Sequence, residues 1–122
     1  MENDLNKKVV EWGKERNIVS SENTPKQFMK VIEEVGELSA GINKRDEEKI
    51  IDSMGDIQVT LILLAADLGI DYSGSLEAAY NVIENRKGKT VNGVFIKNDD
   101  IKKLSPDDIG NDIHEFLHGG DK

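Results

Sequence analysis

Apolar side chains recur at three- and four-residue intervals over most of the chain, which is the spacing of one face of an α-helix. The pattern, bounded by start and stop signals, predicts helices over residues 3–16, 25–42, 48–69 and 76–86. Thr24 and Pro25 form a strong start signal, because a capping hydroxyl precedes a proline at the first helical position. Gly69 is a typical helix stop, and residues 72–75 are predicted to form a turn.

The second and third predicted helices distribute their apolar residues differently. In the second helix, one stripe contains Phe28, Val31, Ile32, Val35, Leu38 and Ile42. The third helix is apolar almost all round over residues 57–68, so it is expected to be buried on every side. Gly36 and Gly55 lie inside these helices, where a close helix–helix approach would explain them. We therefore predict an all-α, four-helix bundle that covers its third helix by assembling into a dimer or a dimer of dimers.

The chain after the fourth helix is different in character. Residues 90–96 predict a short extended or hairpin-like segment. Residues 98–122 are polar and acidic, and Ser105-Pro106 could open one short helix in this tail. His114 and His118 are interpreted there as surface residues outside any site. We predict one domain over residues 1–97, followed by a tail over residues 98–122.

Composition narrows the possible partners. Sixteen basic and twenty-four acidic residues give the 122-residue chain a net charge of −8. A surface of this charge repels phosphates, so binding to nucleic acid or to an anionic membrane is not expected. The absence of cysteine excludes disulfides, thiolate metal sites and thiol nucleophiles. The N-terminus has no apolar signal core and no apolar run is long enough to span a bilayer, so a cytoplasmic location is expected.

Polar residues cluster on one flank of the second predicted helix. At 100° per residue this flank contains Gln27, Lys30, Glu34 and Glu37, with Glu33 further round. Like charges side by side on a helix are unfavourable unless a cation lies between them. Considered alone, this segment is better explained by a solvated acidic face.

The third predicted helix favours a metal site over a solvated face. Asp52 and Asp56 are four residues apart, and the same face continues through Val59 and Leu63. The two aspartates are therefore expected at the mouth of a buried stripe, and nothing basic is expected on that face. Desolvating ionised carboxylates costs several kcal/mol each unless a cation compensates. Oxygen ligands alone indicate Mg²⁺, with Mn²⁺ as a possible substitute.

These motifs resemble a known family. The segment QFxKxxEEVGEL at residues 27–38, followed by DSMGD at 52–56, is similar to the MazG-like members of the all-α NTP pyrophosphohydrolase superfamily. Residues 79–95, with AYNxIxxRKGK and then NGVF, resemble the phage- and Gram-positive-type members. The resemblance covers residues 9–97. Ser53 departs from the family pattern, which has glutamate there, and we assign that role to Asp52.

The resemblance implies hydrolysis of nucleoside triphosphates (NTP or dNTP) between the α and β phosphates, for housecleaning or control of the nucleotide pool. The implied Mg²⁺ ligands are Glu34, Glu37, Asp52 and Asp56. Glu33 or Glu37 would accept a proton from the attacking water. The residues expected to bind phosphate oxygens are Lys30, Arg86, Lys87 and Lys89.

Several alternatives remain open at this point. Trp12 stacks on the nucleobase or anchors the core. Gln27 and Asn81 bind phosphate or sugar, or they are surface amides. The basic residues at 86–89 bind phosphate or only favour the end of the fourth helix. The chain could also be a related enzyme specific for dUTP, dCTP, a modified nucleotide or an alarmone. A catalytically silent nucleotide- or metal-binding module is the rival from another class, and a plain interaction module is a third.

Overall fold

Five helices and one two-stranded sheet make up residues 4–102, which are the residues described by the computed structural model. The elements are α1 (Asp4–Glu15), α2 (Thr24–Lys44), α3 (Glu47–Leu68), α4 (Tyr72–Glu84), β1 (Gly88–Val91), β2 (Val94–Lys97) and α5 (Asn98–Lys102). The four predicted helices and the extended segment are confirmed. The helix predicted after Ser105 lies outside the described residues.

The ends of α2 and α3 follow local sequence signals. A short 3₁₀ turn (Ser21–Asn23) runs directly into α2, so Thr24 is already helical and Asn23 is the N-cap residue. The prediction of Thr24 as the cap is therefore wrong. The Asp46 side chain caps α3 by accepting a hydrogen bond from the backbone N–H of Lys49 at 3.2 Å. α3 stops at Gly69 as predicted, because that residue adopts the left-handed conformation with φ of 69°.

The predicted turn at residues 72–75 is wrong, because α4 begins at Tyr72. The backbone N–H of Ser75 donates to the carbonyl of Asp71 at 2.9 Å, which is a helical hydrogen bond. The Ser75 hydroxyl donates to the carbonyl of Tyr72 at 2.6 Å. Serine and glycine are weak helix formers, but they are tolerated in a first turn where side chains satisfy backbone groups.

The core lies where α2 and α1 pack against α3. The buried apolar side chains there are Val31, Ile62, Leu63 and Ala65. α1 approaches α3 at Gly13, where an added Cβ would lie 2.5 Å from Cδ2 of Leu63. Since Leu63 is itself buried, any side chain at residue 13 would force the two helices apart.

The face of α2 that packs on α3 is not the face predicted. Gln27, Val31 and Gly41 are buried, whereas Ile32 and Val35 at the centre of the predicted stripe are 50% and 48% exposed. Over residues 57–68, α3 is buried or half-buried at every position except Gln58 and Leu68, and its other exposed apolar residues, Ile51 and Met54, lie before that stretch. The burial predicted for this stretch is therefore largely present in one copy, and the covering of α3 by a second copy stays a prediction. An added Cβ at Gly36 or Gly55 would meet no atom within 4 Å, so close helix packing does not explain these glycines.

Two compact units divide the chain, residues 1–79 and 80–122. In the second unit β1 pairs antiparallel with β2, with Gly88 opposite Lys97 and Val91 opposite Val94. Asn92 and Gly93 form the hairpin turn with positive φ angles of 52° and 80°. The domain boundary after residue 97 stays a prediction.

No single helix within residues 4–102 is both long and apolar enough to cross a bilayer. α3 and α4 satisfy the criterion only as a pair bent by 103°, and then by length and composition alone.

Candidate active site on the α2–α3 seam

We call the contact between α2 and α3 the seam. On α2 it is formed by Gln27, Val31, Glu34, Leu38 and Gly41, at alternating steps of four and three, all buried or half-buried. Its α3 positions with the same spacing are Lys49, Ser53, Asp56, Thr60, Leu63 and Asp67. This spacing is that of two helices packed nearly parallel or antiparallel along their lengths.

Three contacts fix an antiparallel register across the seam. Nε2 of Gln27 lies 3.5 Å from the carbonyl oxygen of Thr60. Nζ of Lys49 lies 3.1 Å from Oε2 of Glu37. An added Cβ at Gly41 would lie 3.3 Å from the side chain of Ile50. Glu34 stands between the first two contacts and therefore lies beside the turn of α3 that runs from Ser53 to Asp56.

Glu34 is the carboxylate of the seam whose pKa is shifted by burial and by neighbouring charges. Burial raises the pKa of Glu34 above its ordinary value, and it is the largest cause of the shift. The charges of Asp56, Glu37 and Glu33 raise it further, in that order, and only Lys30 opposes them. The predicted group of like charges is thus present, and its effect is to raise the pKa of the half-buried Glu34 carboxylate.

Lys49 corrects the prediction that nothing basic lies on this face of α3. Its ammonium pairs with Glu37 across the seam, from a side chain that is 33% exposed. The pair neutralises one member of the predicted metal site. Glu33 is paired as well, with Nζ of Lys30 at 3.1 Å on the exposed surface of α2.

The aspartates do not have the predicted burial. Asp52 and Asp56 are both exposed, so the expected desolvation of these two carboxylates is wrong. Ser53 is the buried residue of this turn, at 3% exposure, and it occupies the seam. Asp56 acts on Glu34 electrostatically, whereas Asp52 is not among the charges that shift the pKa of Glu34.

A preformed metal cage is absent from the described part of the chain. Within residues 4–102, no three histidine, aspartate or glutamate side chains converge on a point where they could hold an ion. The seam does concentrate oxygen donors, and neighbouring carboxylates raise the pKa of its half-buried Glu34. This donor chemistry fits a hard divalent cation that would draw the side chains together.

Two cavities adjoin the seam. One, of about 380 Å³, is lined by Trp12, Ile18, Asn23, Lys26, Gln27, Lys30, Val59, Thr60 and Leu63. The other, of about 450 Å³, is lined by Leu5, Lys8, Val9, Trp12, Asp56 and Val59. Trp12 and Val59 border both cavities. The guanidinium carbon of Arg16 lies 4.4 Å from the centroid of the Trp12 ring and covers part of it.

The remaining predicted phosphate ligands lie in the second unit. Asn81, Arg86, Lys87 and Lys89 are all exposed there. A cleft of about 500 Å³ in this unit is lined by Val82, Asn85, Arg86, Lys87, Lys97, Asn98 and Asp99. Sequence reasoning missed Lys97, although a hairpin centred on Asn92-Gly93 brings it opposite Gly88. It also missed Lys49, whose position one turn before Asp52 was a usable signal.

Comparison with known proteins identifies a family. A model of the MazG nucleotide pyrophosphohydrolase domain matches residues 23–91, more than half of the chain. Over 67 residues the chain is 40% identical to an uncharacterized 18.2 kDa protein in the rep-hol intergenic region of Haemophilus phage HP1 (strain HP1c1). This match spans 55% of the chain and 41% of the phage protein, so the chain covers less than half of that relative. No solved structure matches the chain.

In metal-free buffer, Glu34→Gln should raise the free energy of unfolding at neutral pH, with a smaller gain at about pH 4, near the ordinary pKa of glutamate. Because the pKa of Glu34 is raised in the folded state, the folded chain holds this proton more tightly than the unfolded chain. The stability that it contributes is complete below the unfolded pKa and is lost as pH rises through the folded pKa. Urea unfolding in EDTA at both pH values measures the difference.

Glu77→Gln is the matched control, since it neutralises an exposed glutamate of α4. It should change stability little at either pH. An equal gain in both variants would mean that lower net charge, and not the surroundings of Glu34, causes the effect.

Proposed function

The chain belongs to the MazG nucleotide pyrophosphohydrolase domain family, and on that premise we propose that it hydrolyses nucleoside triphosphates to a nucleoside monophosphate and pyrophosphate with Mg²⁺ as cofactor. The observation that supports this proposal best is the raised pKa of Glu34. A half-buried carboxylate close to three others is unfavourable, and Lys30 is the one charge that opposes the rise in its pKa. A bound divalent cation would offset the repulsion among these carboxylates and would explain why they are grouped.

The proposed Mg²⁺ ligands are Glu34 and Asp56 at the centre, with Glu37 and Asp52 beside them. Mn²⁺ is the expected substitute, because all four donors are carboxylate oxygens. The bound ion would neutralise phosphate charge and lower the pKa of a water molecule. Glu37 would first have to leave or share its contact with Lys49, which is close enough to compete with the metal.

The proposed proton acceptor for the attacking water is Glu33 or Glu37. Each is held by one cation, Glu33 by Lys30 and Glu37 by Lys49, both at 3.1 Å. An ion pair of this kind orients the carboxylate while leaving its second oxygen available to a water. Since Lys30 also borders the cavity beside Gln27, it is well placed to bind a phosphate group there.

Arg86, Lys87, Lys89 and Asn81 are proposed to bind phosphate oxygens as well. Between Glu84 and Asp99 the chain carries basic residues and no acidic ones, which contrasts with its net charge of −8. This local charge would favour the triphosphate and the leaving pyrophosphate. The cytoplasmic location and the role in the nucleotide pool stay predictions.

A catalytically silent nucleotide-binding module is the second candidate. It is favoured by Ser53, which is buried in the seam where the family pattern has a carboxylate. An enzyme restricted to dUTP, dCTP, a modified nucleotide or an alarmone is the nearest variant of the main proposal.

We also propose that two or more copies associate through α2 and α3. Phe28, Ile32, Val35 and Ile42 form an outward apolar stripe on α2, each about half exposed. α3 adds Ile51 and Met54, and α4 has exposed Leu76. Monomeric proteins seldom leave this much contiguous apolar surface in water. A homodimer or homotetramer would cover it and would complete the burial of α3.

Incubation with the common NTPs and dNTPs and Mg²⁺ should release pyrophosphate and a nucleoside monophosphate. Glu34→Gln, Glu37→Gln and Asp56→Asn should each lower that rate by about a hundredfold or more, because each removes charge that positions the cation. Glu77→Gln is the control and should keep the parent rate. Release of orthophosphate and a diphosphate would contradict the proposed bond cleavage, and absence of turnover would favour the silent module.

Sedimentation velocity should show a species larger than a monomer at micromolar concentration. Ile32→Asp should shift it toward the monomer, because a charge cannot be desolvated at a packed apolar interface. Val94→Asp introduces the same charge at a residue of the hairpin that is 49% exposed, and it should leave the distribution unchanged. A parent protein that sediments as a monomer at all concentrations would refute the association.

A further inference from the structure

Gln27 is a buried amide with unused hydrogen-bonding capacity. It is only 5% exposed, and its one hydrogen bond within the described residues is a long one from Nε2 to the carbonyl of Thr60, at 3.5 Å. A glutamine amide has two donor hydrogens and two acceptor lone pairs. Its Oε1 accepts no hydrogen bond from residues 4–102, yet it is not an enclosed atom without a partner, so it is accessible to small molecules. Because Gln27 lines the 380 Å³ cavity, a ligand or water there can complete the hydrogen bonds of the amide.

The cavity around Gln27 has the walls of a site for a flat, partly polar ring. Its surface is mainly apolar, and Trp12, Ile18, Val59 and Leu63 contribute to it. Arg16 lies against Trp12 and restrains the indole. The volume is at the lower end of the range for small-molecule pockets, about 300–1,000 Å³. An aromatic wall beside one amide is the arrangement that stacks a ring and binds its edge.

The order of Gln27, Lys30 and Glu34 along α2 matches the order of base and phosphates along a nucleotide. Gln27, Lys30 and Glu34 lie at steps of three and four, so they occupy one face of the helix. Lys30 borders the cavity and lowers the pKa of Glu34, so it stands between the amide and the carboxylates. Gln27 and Glu34 are two helical turns apart, about 10 Å along the axis. A base held at Gln27 therefore directs its phosphates toward Lys30 and the seam.

We propose that the cavity bounded by Trp12, Gln27 and Thr60 holds the nucleobase of the substrate, and that the amide of Gln27 binds the hydrogen-bonding edge of that base. The proposal rests on the proposed nucleotide hydrolysis and assigns Gln27 a role in base selection, in place of the phosphate or sugar contact expected from the sequence. Trp12 forms the stacking wall. Gln27 is a specificity residue because a site that hydrogen-bonds its ligand rejects bases with the wrong edge.

The chain provides its own reporter, because Trp12 is its single tryptophan. Titration of the metal-free protein with AMP, GMP, CMP and UMP should quench the Trp12 fluorescence, with different dissociation constants for the four. Ribose 5-phosphate, which has no base, should not quench it. Free N-acetyltryptophanamide corrects for absorption of light by the nucleotides.

Gln27→Met keeps the length of the side chain and removes the amide. It should weaken the best-bound monophosphate by about tenfold, the effect of losing one or two hydrogen bonds, and bring the four dissociation constants closer together. Gln58→Met is the matched control, since Gln58 is an exposed amide of α3 outside the cavity, and it should match the parent. Circular dichroism and melting temperature check the fold. If Gln27→Met does not fold, Gln27→Asn, which withdraws the amide by one methylene, replaces it.

The outcomes separate this inference from the proposed function. Turnover with unchanged base preference in Gln27→Met would refute the inference and leave the hydrolysis intact. Base-dependent quenching that needs Gln27, without turnover, would refute the hydrolysis and leave the base site. Quenching by ribose 5-phosphate equal to that by the monophosphates, or no quenching by any of them, would overturn the inference.

Discussion

The position of Glu34 is the constraint on which the account depends. The alternating three- and four-residue spacing of α2 carries this carboxylate into the contact with α3, where burial and the charges of Asp56, Glu37 and Glu33 all raise its pKa. The fold supplies cations nearby, but Lys49 pairs with Glu37 and Lys30 pairs with Glu33. Lys30 lowers the pKa of Glu34 without forming a salt bridge to it, and the pKa stays raised. A proton or the proposed divalent cation would relieve the remaining repulsion.

The other features of the first unit are arranged around that carboxylate. The helix face that contains Glu34 also contains Lys30 and Gln27, which places the proposed phosphate ligand and a buried amide in sequence on one helix. α1 closes the far side, because Gly13 lets it approach Leu63 and brings Trp12 to the cavity. The opposite face of α2 is apolar and exposed. Catalysis and association would thus use two different faces of the same helix.

The sequence predicted the positions of the helices better than it predicted which of their residues are buried. Periodicity and Gly69 located α3 correctly, because both are local signals. The buried face of α2 was misassigned, since its apolar stripe is wide and a single copy buries only the side that contains Val31. The ion pair of Lys49 with Glu37 was missed because a long side chain reaches across helices from outside the motif. The burial of Ser53 in place of the aspartates depends on helix rotation, which composition does not determine.

The melting temperature as a function of MgCl₂ tests the central claim, that a cation relieves the charge at Glu34. If Mg²⁺ binds the folded seam and not the unfolded chain, the melting temperature of the parent should rise steadily with the logarithm of metal concentration once that exceeds the dissociation constant. In Glu34→Gln the rise should be largely lost. A parent protein with no rise at millimolar Mg²⁺, or an equal rise in both proteins, would contradict the account.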